Sequence, residues 1–469
     1  MKALTTGRGC AAVCAALTML ATPALADDFD VGAANVTLGG FAAAETVNRS
    51  RDEQADIGST FSGIPFSNNP AAHTSEFRMT ARQSRISLLV QNSADADTHV
   101  AFYGEFDFLA GPQSANSNES NSFSPRIRNL YGTIDWDSAG IQILAGQNWS
   151  LLTLNSHGIT PRNEVPPSTI EAQYVAGFNW ARQPQVRITK NWNHEFWLAV
   201  SVENPQSTIA ANAAAASGIS VTDNNTASSE FDSANKLSLN HVPDVIGKFA
   251  WEPVIDGAQP LHIEGFGIYR DFYDRVNVAA GNALGLPVSI GNKNISGGGF
   301  GGSVTWSIFP KLLDVQFTGM NGSGIGRYGS GQLPDVTLNP DGALDPINET
   351  TFLAGATLHA TPALDFYVYA GQEAENAKVF NVGTGHQGVG NPAYSVSGCF
   401  IEGGTCSPNI ENSSEITGGL WWRAYAGKYG SARLGLQYSY NRLTAFAGAG
   451  GKPNTDENMV YTSLRYYPF

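Results

Sequence analysis

Apolar and polar residues alternate along Val245-Ile246-Gly247-Lys248-Phe249-Ala250-Trp251-Glu252. One set of alternate positions reads Val, Gly, Phe, Trp, and the other reads Ile, Lys, Ala, Glu. Because successive side chains of a β-strand point to opposite faces, this strand has one apolar face and one face that carries Lys248. Gln185–Thr189 has the same texture. A strand between lipid and water needs two such faces, although a soluble strand between a core and solvent shows the same period.

The rhythm along the chain separates these two interpretations. Sixteen segments have strand texture, and short turns alternate with long polar connections between them. The predicted strands are approximately 35–47, 76–91, 98–109, 126–137, 140–148, 180–190, 194–203, 244–252, 261–273, 293–309, 312–322, 349–360, 364–374, 415–427, 431–444 and 457–469. Outer-membrane barrels have short periplasmic turns and long outer loops, whereas soluble sandwiches lack this alternation. We therefore predict an all-β fold, a transmembrane antiparallel β-barrel of about 16 strands, with one long loop folded into the pore.

Aromatic residues near the strand ends support the same fold. Seven tryptophans lie where aromatic girdles would flank the apolar band of a barrel. They are Trp136, Trp192, Trp197, Trp251, Trp306, Trp421 and Trp422. The last strand ends in Phe469 with an aromatic residue two positions earlier, which is typical of outer-membrane barrels, although Arg465 and Ser463 break its apolar parity.

The first 26 residues have the features of a secretory signal peptide. A short basic segment, Met1–Arg8, precedes an apolar segment, Cys10–Leu20, and Ala24-Leu25-Ala26 forms an A-x-A cleavage site. The apolar segment is too short to span a bilayer as a helix. We therefore predict a cleaved peptide at 1–26, a barrel domain at 27–469, and a location in the outer membrane of a Gram-negative bacterium.

The charge balance argues against nucleic-acid binding. The 469 residues include 27 Lys and Arg against 41 Asp and Glu, which gives a net charge of −14. Cleavage would remove Lys2 and Arg8 but no acid, so the mature chain would carry −16. Binding to duplex nucleic acid needs a basic surface, and none is expected here. Most of the acidity is expected in loops and rims.

Two cysteines remain after cleavage. Cys399 and Cys406 are separated by six residues of a loop rich in small and polar residues. In an exported protein, such a pair favours one local disulfide that pins the loop. A two-cysteine metal site is the weaker interpretation, because no histidine or further cysteine lies near them in the sequence.

No motif indicates an enzyme, a cofactor or a metal site. Residues 297–302 match G-x-G-x-x-G, but strand texture follows directly, where a dinucleotide fold would need a helix. Asp341, Asp345 and Glu349 could ligate Ca²⁺, but their spacing does not fit an EF-hand and favours an ordinary acidic loop. We therefore predict a protein that is not an enzyme and needs neither cofactor nor metal.

The arginines of this acidic chain are clustered. Three fall within eight residues of the second predicted strand, and others follow on the fourth and sixth strands. The predicted pore-lining and anion-binding residues are Arg78, Arg82, Arg85, Arg126, Arg128, Arg162, Glu164, Glu171, Arg182, Arg187 and Lys248. Charged side chains on the lipid face cost about 2–4 kcal/mol at mid-bilayer, so these are expected to face the lumen or the rims. In the alternative to anion binding, these arginines only pair with acids of the lumen and so stiffen the barrel wall.

Parity places one condition on this row of arginines. Arg85 has the opposite parity from Arg78 and Arg82. All three can face inward only if a bulge interrupts the strand between them. Guanidinium groups that face the lumen would concentrate anions, and their planar forks suit carboxylates.

Several short blocks resemble the DcaP-like outer-membrane channel family. They are Ala81-Arg82-Gln83-Ser84-Arg85-Ile86, Phe106-Asp107-Phe108, Arg126-Ile127-Arg128-Asn129-Leu130-Tyr131-Gly132, Ala145-Gly146-Gln147-Asn148-Trp149-Ser150 and Arg182-Gln183-Pro184-Gln185-Val186-Arg187. The resemblance covers most of the mature chain and is strongest over about 75–190. It implies a trimeric porin of sixteen strands that passes small anionic solutes such as dicarboxylates and aromatic acids. Some members carry a periplasmic coiled coil, for which the roughly eight residues between Asp27 and the first strand leave no room.

The predicted function is passive diffusion of small anionic solutes, carboxylates in particular, through an arginine-lined pore. The expected partners are these solutes, outer-membrane lipid and lipopolysaccharide, and two further copies of the chain. Two alternatives stay open. A porin for neutral sugars would need an aromatic track, for which Trp149 and Trp180 are candidates. A surface-binding barrel would have a plugged lumen.

Overall fold

The structure is a computed structural model that describes residues 28–110, 124–210, 240–255, 257–278, 288–382 and 385–469. The predicted signal peptide at 1–26 lies outside these residues. The described strands are β1 (Asp28–Val31), β2 (Ala34–Arg49), β3 (Glu76–Thr80), β4 (Arg85–Ser93), β5 (Thr98–Asp107), β6 (Arg126–Trp136), β7 (Ile141–Trp149), β8 (Arg182–Trp192), β9 (Phe196–Glu203), β10 (Asp244–Trp251), β11 (Leu261–Val278), β12 (Ser289–Phe309), β13 (Leu313–Ser323), β14 (Val336–Leu338), β15 (Leu344–Pro346), β16 (Asn348–Thr361), β17 (Leu364–Glu375), β18 (Lys378–Val382), β19 (Gly385–Val389), β20 (Ile410–Gly427), β21 (Gly430–Ala445) and β22 (Asn454–Tyr467). Short 3₁₀ turns lie at Phe61–Gly63, Pro70–His73, Gly326–Tyr328 and Ser397–Phe400.

The long strands form a closed antiparallel barrel. Each pairs with the next along the chain, and β22 pairs with β2 from Ala42↔Tyr466 to Arg49↔Met459, which closes the sheet. Both β3 and β4 pair with β2, so together they form one barrel strand. Counted in this way the barrel has sixteen strands, as predicted. Two short hairpins, β14–β15 and β18–β19, lie in the connections.

Turns and loops alternate as the sequence predicts. Short turns follow β4, β6, β8, β12, β16 and β20 on one side. Long connections on the other side include loop 1 (50–75), loop 3 (150–181) and loop 6 (324–347). Among the described residues no helix has the length and apolarity needed to cross a membrane.

The outer surface of the barrel is apolar. Large apolar side chains point outward around the wall; Ile188 is 53% exposed, Phe352 51% and Phe300 71%. Such a band is stable only in contact with lipid, and the closed sheet leaves no unpaired edge within it. The fold and this band place the chain in the outer membrane of a Gram-negative bacterium, as predicted.

The tryptophans divide between two faces. Trp192, Trp251, Trp306 and Trp422 are exposed on the outer surface. The prediction was wrong for Trp197, which is buried and donates its indole N–H to Glu252 at 3.1 Å. It was also wrong for Trp421, whose indole donates to the Ser168 carbonyl of loop 3 at 2.8 Å. Both have the parity of the inner face. The glycine-rich segment 297–302 continues β12 as a strand.

Candidate pore constriction

Loop 3 folds into the lumen and is held there by carboxylates of the barrel wall. Its backbone N–H groups donate to inward-facing glutamates of five different strands or strand ends. These hydrogen bonds are Leu151 N–H to Glu203 at 2.8 Å, Asn155 N–H to Glu264 at 3.2 Å, Gly158 N–H to Glu252 at 2.5 Å, Ala176 N–H to Glu415 at 3.1 Å and Gly177 N–H to Glu373 at 2.7 Å. We call these five glutamates the anchoring wall. All five are buried. Irregular backbone is tolerated at membrane depth only where protein or a water-filled cavity satisfies it, and these carboxylates do so.

Glu171 fastens loop 3 to loop 1 and to the closing strand. Its carboxylate accepts hydrogen bonds from the Ser59 N–H at 2.6 Å, from the Ser59 hydroxyl at 3.0 Å and from the Tyr461 hydroxyl. Burial raises the pKa of Glu171, against the opposing charge of Arg49. Glu171 is therefore a structural contact of the constriction, because its oxygens are already committed to these donors.

Beside loop 3 the lumen contains a cavity of about 480 Å³. Three of its arginines come from the barrel strands on the two sides of β2: Arg85 of β4 on one side, and Arg465 of β22 and Arg433 of β21 on the other. We call these three the arginine wall. Arg433 and Arg465 lie directly opposite each other in the strand register. Sequence reasoning missed both as pore residues, although the break that Arg465 makes in the apolar parity of its strand was the available signal.

Aromatic rings support the arginine wall. Arg465 lies 4.9 Å from the ring centre of Phe41 and 4.6 Å from that of Trp421. Arg85 lies 5.3 Å from the Phe41 ring, and Arg433 lies 5.0 Å from the Tyr467 ring. A cation over an aromatic face is attracted to the ring and is held in place. The rings therefore fix these guanidinium groups without neutralising them.

Only part of the arginine wall is paired with acids. Arg465 contacts Glu45 at 2.9 Å, and Arg85 contacts Glu105 at 3.6 Å. Within the described residues no carboxylate oxygen lies within 4.0 Å of the Arg433 guanidinium, and its Nε has no hydrogen-bond partner. Arg433 is thus available to a solute.

The break in the second barrel strand falls where parity requires it. β3 ends at Thr80 and β4 begins at Arg85, and the Ser84 N–H donates to the Ala81 carbonyl across the turn between them. The register then pairs Arg85 with Phe41 on the inner face.

Arg78 and Arg82 lie on the loop 1 side of this break. Arg82 contacts Asp56 of loop 1 at 2.8 Å, and Arg78 contacts Glu76 at 2.9 Å with about half of its side chain exposed. Neither residue is among those that line the 480 Å³ cavity.

Arg126 and Arg128 share the carboxylates of the neighbouring strand. Arg126 binds Asp107 through two nitrogens, at 2.9 and 2.7 Å. Arg128 donates to Glu105 at 2.5 Å and to Asp107 at 3.0 Å. Arg128 lines the cavity, but both of these guanidinium groups are neutralised by acids, which is the arrangement expected of wall-stiffening pairs.

Loop 3 itself contributes a second available cation. Arg162 is exposed, and its guanidinium lies 5.8 Å from the centre of the Tyr103 ring and has no described carboxylate oxygen within 4.0 Å. Its backbone N–H donates to Glu164 at 2.8 Å, and Glu164 also accepts from the Asn148 amide at 3.2 Å. Burial raises the pKa of Glu164, opposed by the charge of Arg187. Arg162 therefore faces the same cavity as Arg433 from the loop side.

Arg182 stacks on an aromatic cluster at the end of loop 3. Its guanidinium lies 5.0 Å from the Trp149 ring and 5.1 Å from the Trp180 ring. Trp149, Trp180 and Tyr174 pack on one another, with ring centres 5.2–5.9 Å apart. The two tryptophans considered for a sugar track thus form one compact cluster.

Arg187 and Lys248 are buried beneath loop 3 and do not line the open pore. Arg187 donates to the Trp149 carbonyl at 2.6 Å. Lys248 donates to the Thr153 carbonyl at 2.7 Å and pairs with Glu264 at 2.9 Å. Parity directs both side chains inward, as the sequence analysis expected, but the loop covers this part of the wall and takes their hydrogen bonds.

The two remaining cysteines form a disulfide. The Cys399 and Cys406 Cα atoms are 4.7 Å apart. Cys406 lies beside an outer cavity that is separate from the arginine-lined one. The bond joins two ends of one outer loop and touches neither wall of the constriction.

The fold and the narrowed lumen define a class: a sixteen-stranded outer-membrane channel barrel with an internal loop. The DcaP outer-membrane channel of Acinetobacter baumannii has a similar fold, with a TM-score of 0.65 and 17% identity over 94% of this chain and 100% of that chain. The anion-selective porin from Comamonas acidovorans matches with a TM-score of 0.49 and 11% identity over 92% and 99% of the two chains. OmpT of Vibrio cholerae matches with a TM-score of 0.45 and 11% identity over 93% and 99%. No protein-family model and no curated protein sequence matches the chain.

The DcaP likeness confirms the barrel fold that the sequence blocks imply. At 17% identity it concerns the fold alone.

Proposed function

We propose that the protein is a porin through which small anionic solutes, carboxylates in particular, diffuse passively. The observation that carries this proposal is a pair of unpaired guanidinium groups on two sides of one cavity, Arg162 on loop 3 and Arg433 on the arginine wall. An anion that enters gains two planar donors and displaces no acid. The acids that line the same cavity are already bound to groups of the protein; they are Glu105, Glu164, Glu171 and Asp365.

The remaining arginines of the cavity shape this preference. Arg85, Arg128 and Arg465 each share a carboxylate, so they add a positive field that their acids partly cancel. A narrow, low-dielectric passage focuses the field of the unpaired charges and raises the local anion concentration. Covalent chemistry has no part in this function.

The state of assembly is also a proposal. The resemblance of the sequence blocks to DcaP-like channels supports a homotrimer surrounded by outer-membrane lipid and lipopolysaccharide. Native mass spectrometry in a mild detergent tests this directly. A trimer is expected, and a monomer at all concentrations would contradict it.

Liposome swelling tests the solute class. Proteoliposomes should take up butyrate faster than a neutral sugar of similar size. The Arg162→Ala/Arg433→Ala variant should lose most of this difference, while an Arg78→Ala control should keep it, because Arg78 lies outside the cavity. Equal rates for butyrate and the sugar in the wild-type protein would contradict the proposal and would favour a neutral-solute porin. No uptake of either solute would favour a plugged barrel.

A further inference from the structure

A second cavity lies between the outer loops and shares no described lining residue with the arginine-lined cavity. It has a volume of about 460 Å³ and is lined by loop 1, loop 6 and the connections that follow β9 and β17. Its lining is mostly prolines and apolar side chains, with the hydroxyls of Ser62 and Thr208 and the amides of Asn68, Asn69, Gln332 and Asn409. Among the described residues that line it, the one ionisable side chain is Glu375. We call this cavity the outer vestibule, and its described lining contains no arginine or lysine.

Glu375 faces a second carboxylate across the sheet. It is directly opposite Glu349 in the register of β16 and β17. Glu375 is 4% exposed and Glu349 is 1% exposed, and all four of their carboxylate oxygens lack a hydrogen-bond partner. Like charges directly opposite on one face of a sheet are destabilising, and a buried charge is costly unless it is paired. The pair therefore lacks a positive partner.

The neighbouring charges do not supply that partner. Arg270, which is fully buried, is held between Asp335 at 2.6 Å and Asp244 at 3.2 Å. Lys378 pairs with Asp345 at 2.7 Å. These cations are committed elsewhere.

A metal ion is also not the partner that the geometry suggests. Within the described residues no group of three or more His, Cys, Asp or Glu side chains is arranged to hold one. The third nearby acid, Glu373, directs one oxygen to the Gly177 and Gly331 N–H groups at 2.7 and 2.8 Å. An ammonium group, which donates up to three hydrogen bonds and needs no fixed coordination shell, suits two carboxylates beside amide oxygens.

We propose that the outer vestibule binds the ammonium end of a solute at Glu375, which lines it and lies opposite Glu349 in the sheet, so that the channel favours small zwitterions that carry both an amine and a carboxylate. This inference rests on the proposed function, because the carboxylate of the same solute is then received by the arginine-lined cavity. Loop 3 separates the two sites: Gly177 contacts Glu373 next to the acidic pair, while the Tyr174 hydroxyl lies 3.5 Å from Arg128 of the cavity. The lumen thus carries an acidic site followed by a basic site.

Swelling of proteoliposomes with 4-aminobutyrate and with butyrate tests the inference, because the two solutes differ only in the amine. The ratio of the uptake rate of 4-aminobutyrate to that of butyrate should be about tenfold higher in the wild-type protein than in the Glu349→Gln/Glu375→Gln variant. This is the effect of one charge-assisted hydrogen bond. Neither glutamate has an ion pair to lose, so the glutamine variant is expected to fold, which heat-modifiability on a gel verifies. The Asp341→Asn/Glu411→Gln variant removes the same charge outside the vestibule and should behave as wild type.

The outcomes separate the two proposals. Normal butyrate uptake with an unchanged ratio of the two solutes in the glutamine variant would overturn the zwitterion proposal and leave the anion porin intact. That result is also the one expected if the carboxylates merely share a proton. No butyrate uptake by the wild-type protein would instead overturn the proposed function. A third outcome would assign the pair to a metal ion and would overturn the inference. In that case Ca²⁺ blocks the conductance of the wild-type protein but not of the glutamine variant, and neither protein prefers 4-aminobutyrate.

Discussion

The anchoring wall and the arginine wall both consist of inward-facing side chains of one barrel, but the two sets have different roles. On the anchoring wall, Glu373 and Glu415 are buried because loop 3 covers them and donates its N–H groups to them. On the arginine wall, the Arg433 guanidinium has no described carboxylate oxygen within 4.0 Å and lies over the Tyr467 ring. The position of a residue in its strand therefore determines whether its side chain faces the lumen, whereas loop 3 determines whether a solute can reach that side chain.

Release of loop 3 should produce the largest effect. The Glu373→Ala/Glu415→Ala variant removes two charge-assisted hydrogen bonds, each of about 1.5–3 kcal/mol. Hydrogen exchange of the Ala176 and Gly177 amides should therefore accelerate by about a thousandfold. Mass spectrometry of the loop 3 peptides measures this.

The matched control for loop release keeps an acceptor oxygen. Glu373→Gln/Glu415→Gln should accelerate exchange far less, because each amide oxygen still accepts the backbone N–H. If the amide exchange rate of the alanine variant stays within twofold of wild type, the anchoring wall does not hold loop 3. The two walls would then not differ in the way described above.

Charge reversal on the arginine wall should alter selectivity and leave loop 3 in place. Arg433→Glu is expected to lower the ratio of anion to cation permeability by about tenfold, because the unpaired charge changes sign inside a narrow passage. Planar-bilayer reversal potentials measure the ratio. Arg442→Glu, an exposed position on the same strand, is the control. Equal changes in both variants would mean that only net charge matters.

The junction of loop 1 and loop 3 should respond to pH. Burial raises the pKa of Glu53 to about 7, opposed by Arg49 at 3.2 Å and reinforced by the nearby carboxylates Glu171 and Glu76. A raised carboxyl pKa means that the closed junction is most stable well below about 4.5 and loses stability as pH rises through about 7.

Conductance should therefore rise as the pH increases, with a midpoint near pH 7. Glu53→Gln should abolish this rise, because it keeps the shape of the side chain and cannot ionise. A pH titration of single-channel conductance from 5 to 9 measures both proteins, and an identical rise in the two would rule out Glu53 as the titrating group.

The smallest effect is expected from the disulfide, which touches neither wall. Loss of the Cys399–Cys406 bond should destabilise its own outer loop by about 2–3 kcal/mol, as for a short closed loop. Proteolysis of that loop should become faster, while selectivity stays unchanged. A change of selectivity in Cys399→Ser/Cys406→Ser would mean that the outer loops help to set the charge of the constriction.

The fold was predictable because its signals are local. Alternation, turn length and terminal aromatics can be read within about ten residues, and the resulting strands match β5, β13 and β17 to within a few positions. The sequence also showed that three arginines of mixed parity can share a face only if the strand is interrupted, and the structure has a turn at 81–84.

The site was predictable only in part, because it depends on contacts between distant segments. Arg85 and Arg465 become neighbours only when the barrel closes through β2. Arg187 and Lys248 face inward as their parity predicts, but no local pattern shows that loop 3 buries them. The acidity expected in loops and rims is partly internal for the same reason, since glutamates such as Glu203 hold the loop.

The reversal potential of the wild-type channel in a KCl gradient measures most directly whether the pore selects anions through Arg162 and Arg433. The unpaired guanidinium groups of Arg162 and Arg433 predict a potential of the sign that chloride selectivity gives, and a shift toward zero in the Arg162→Ala/Arg433→Ala variant. A potential of the opposite sign in the wild-type protein, or one that the double substitution leaves unchanged, would contradict the account.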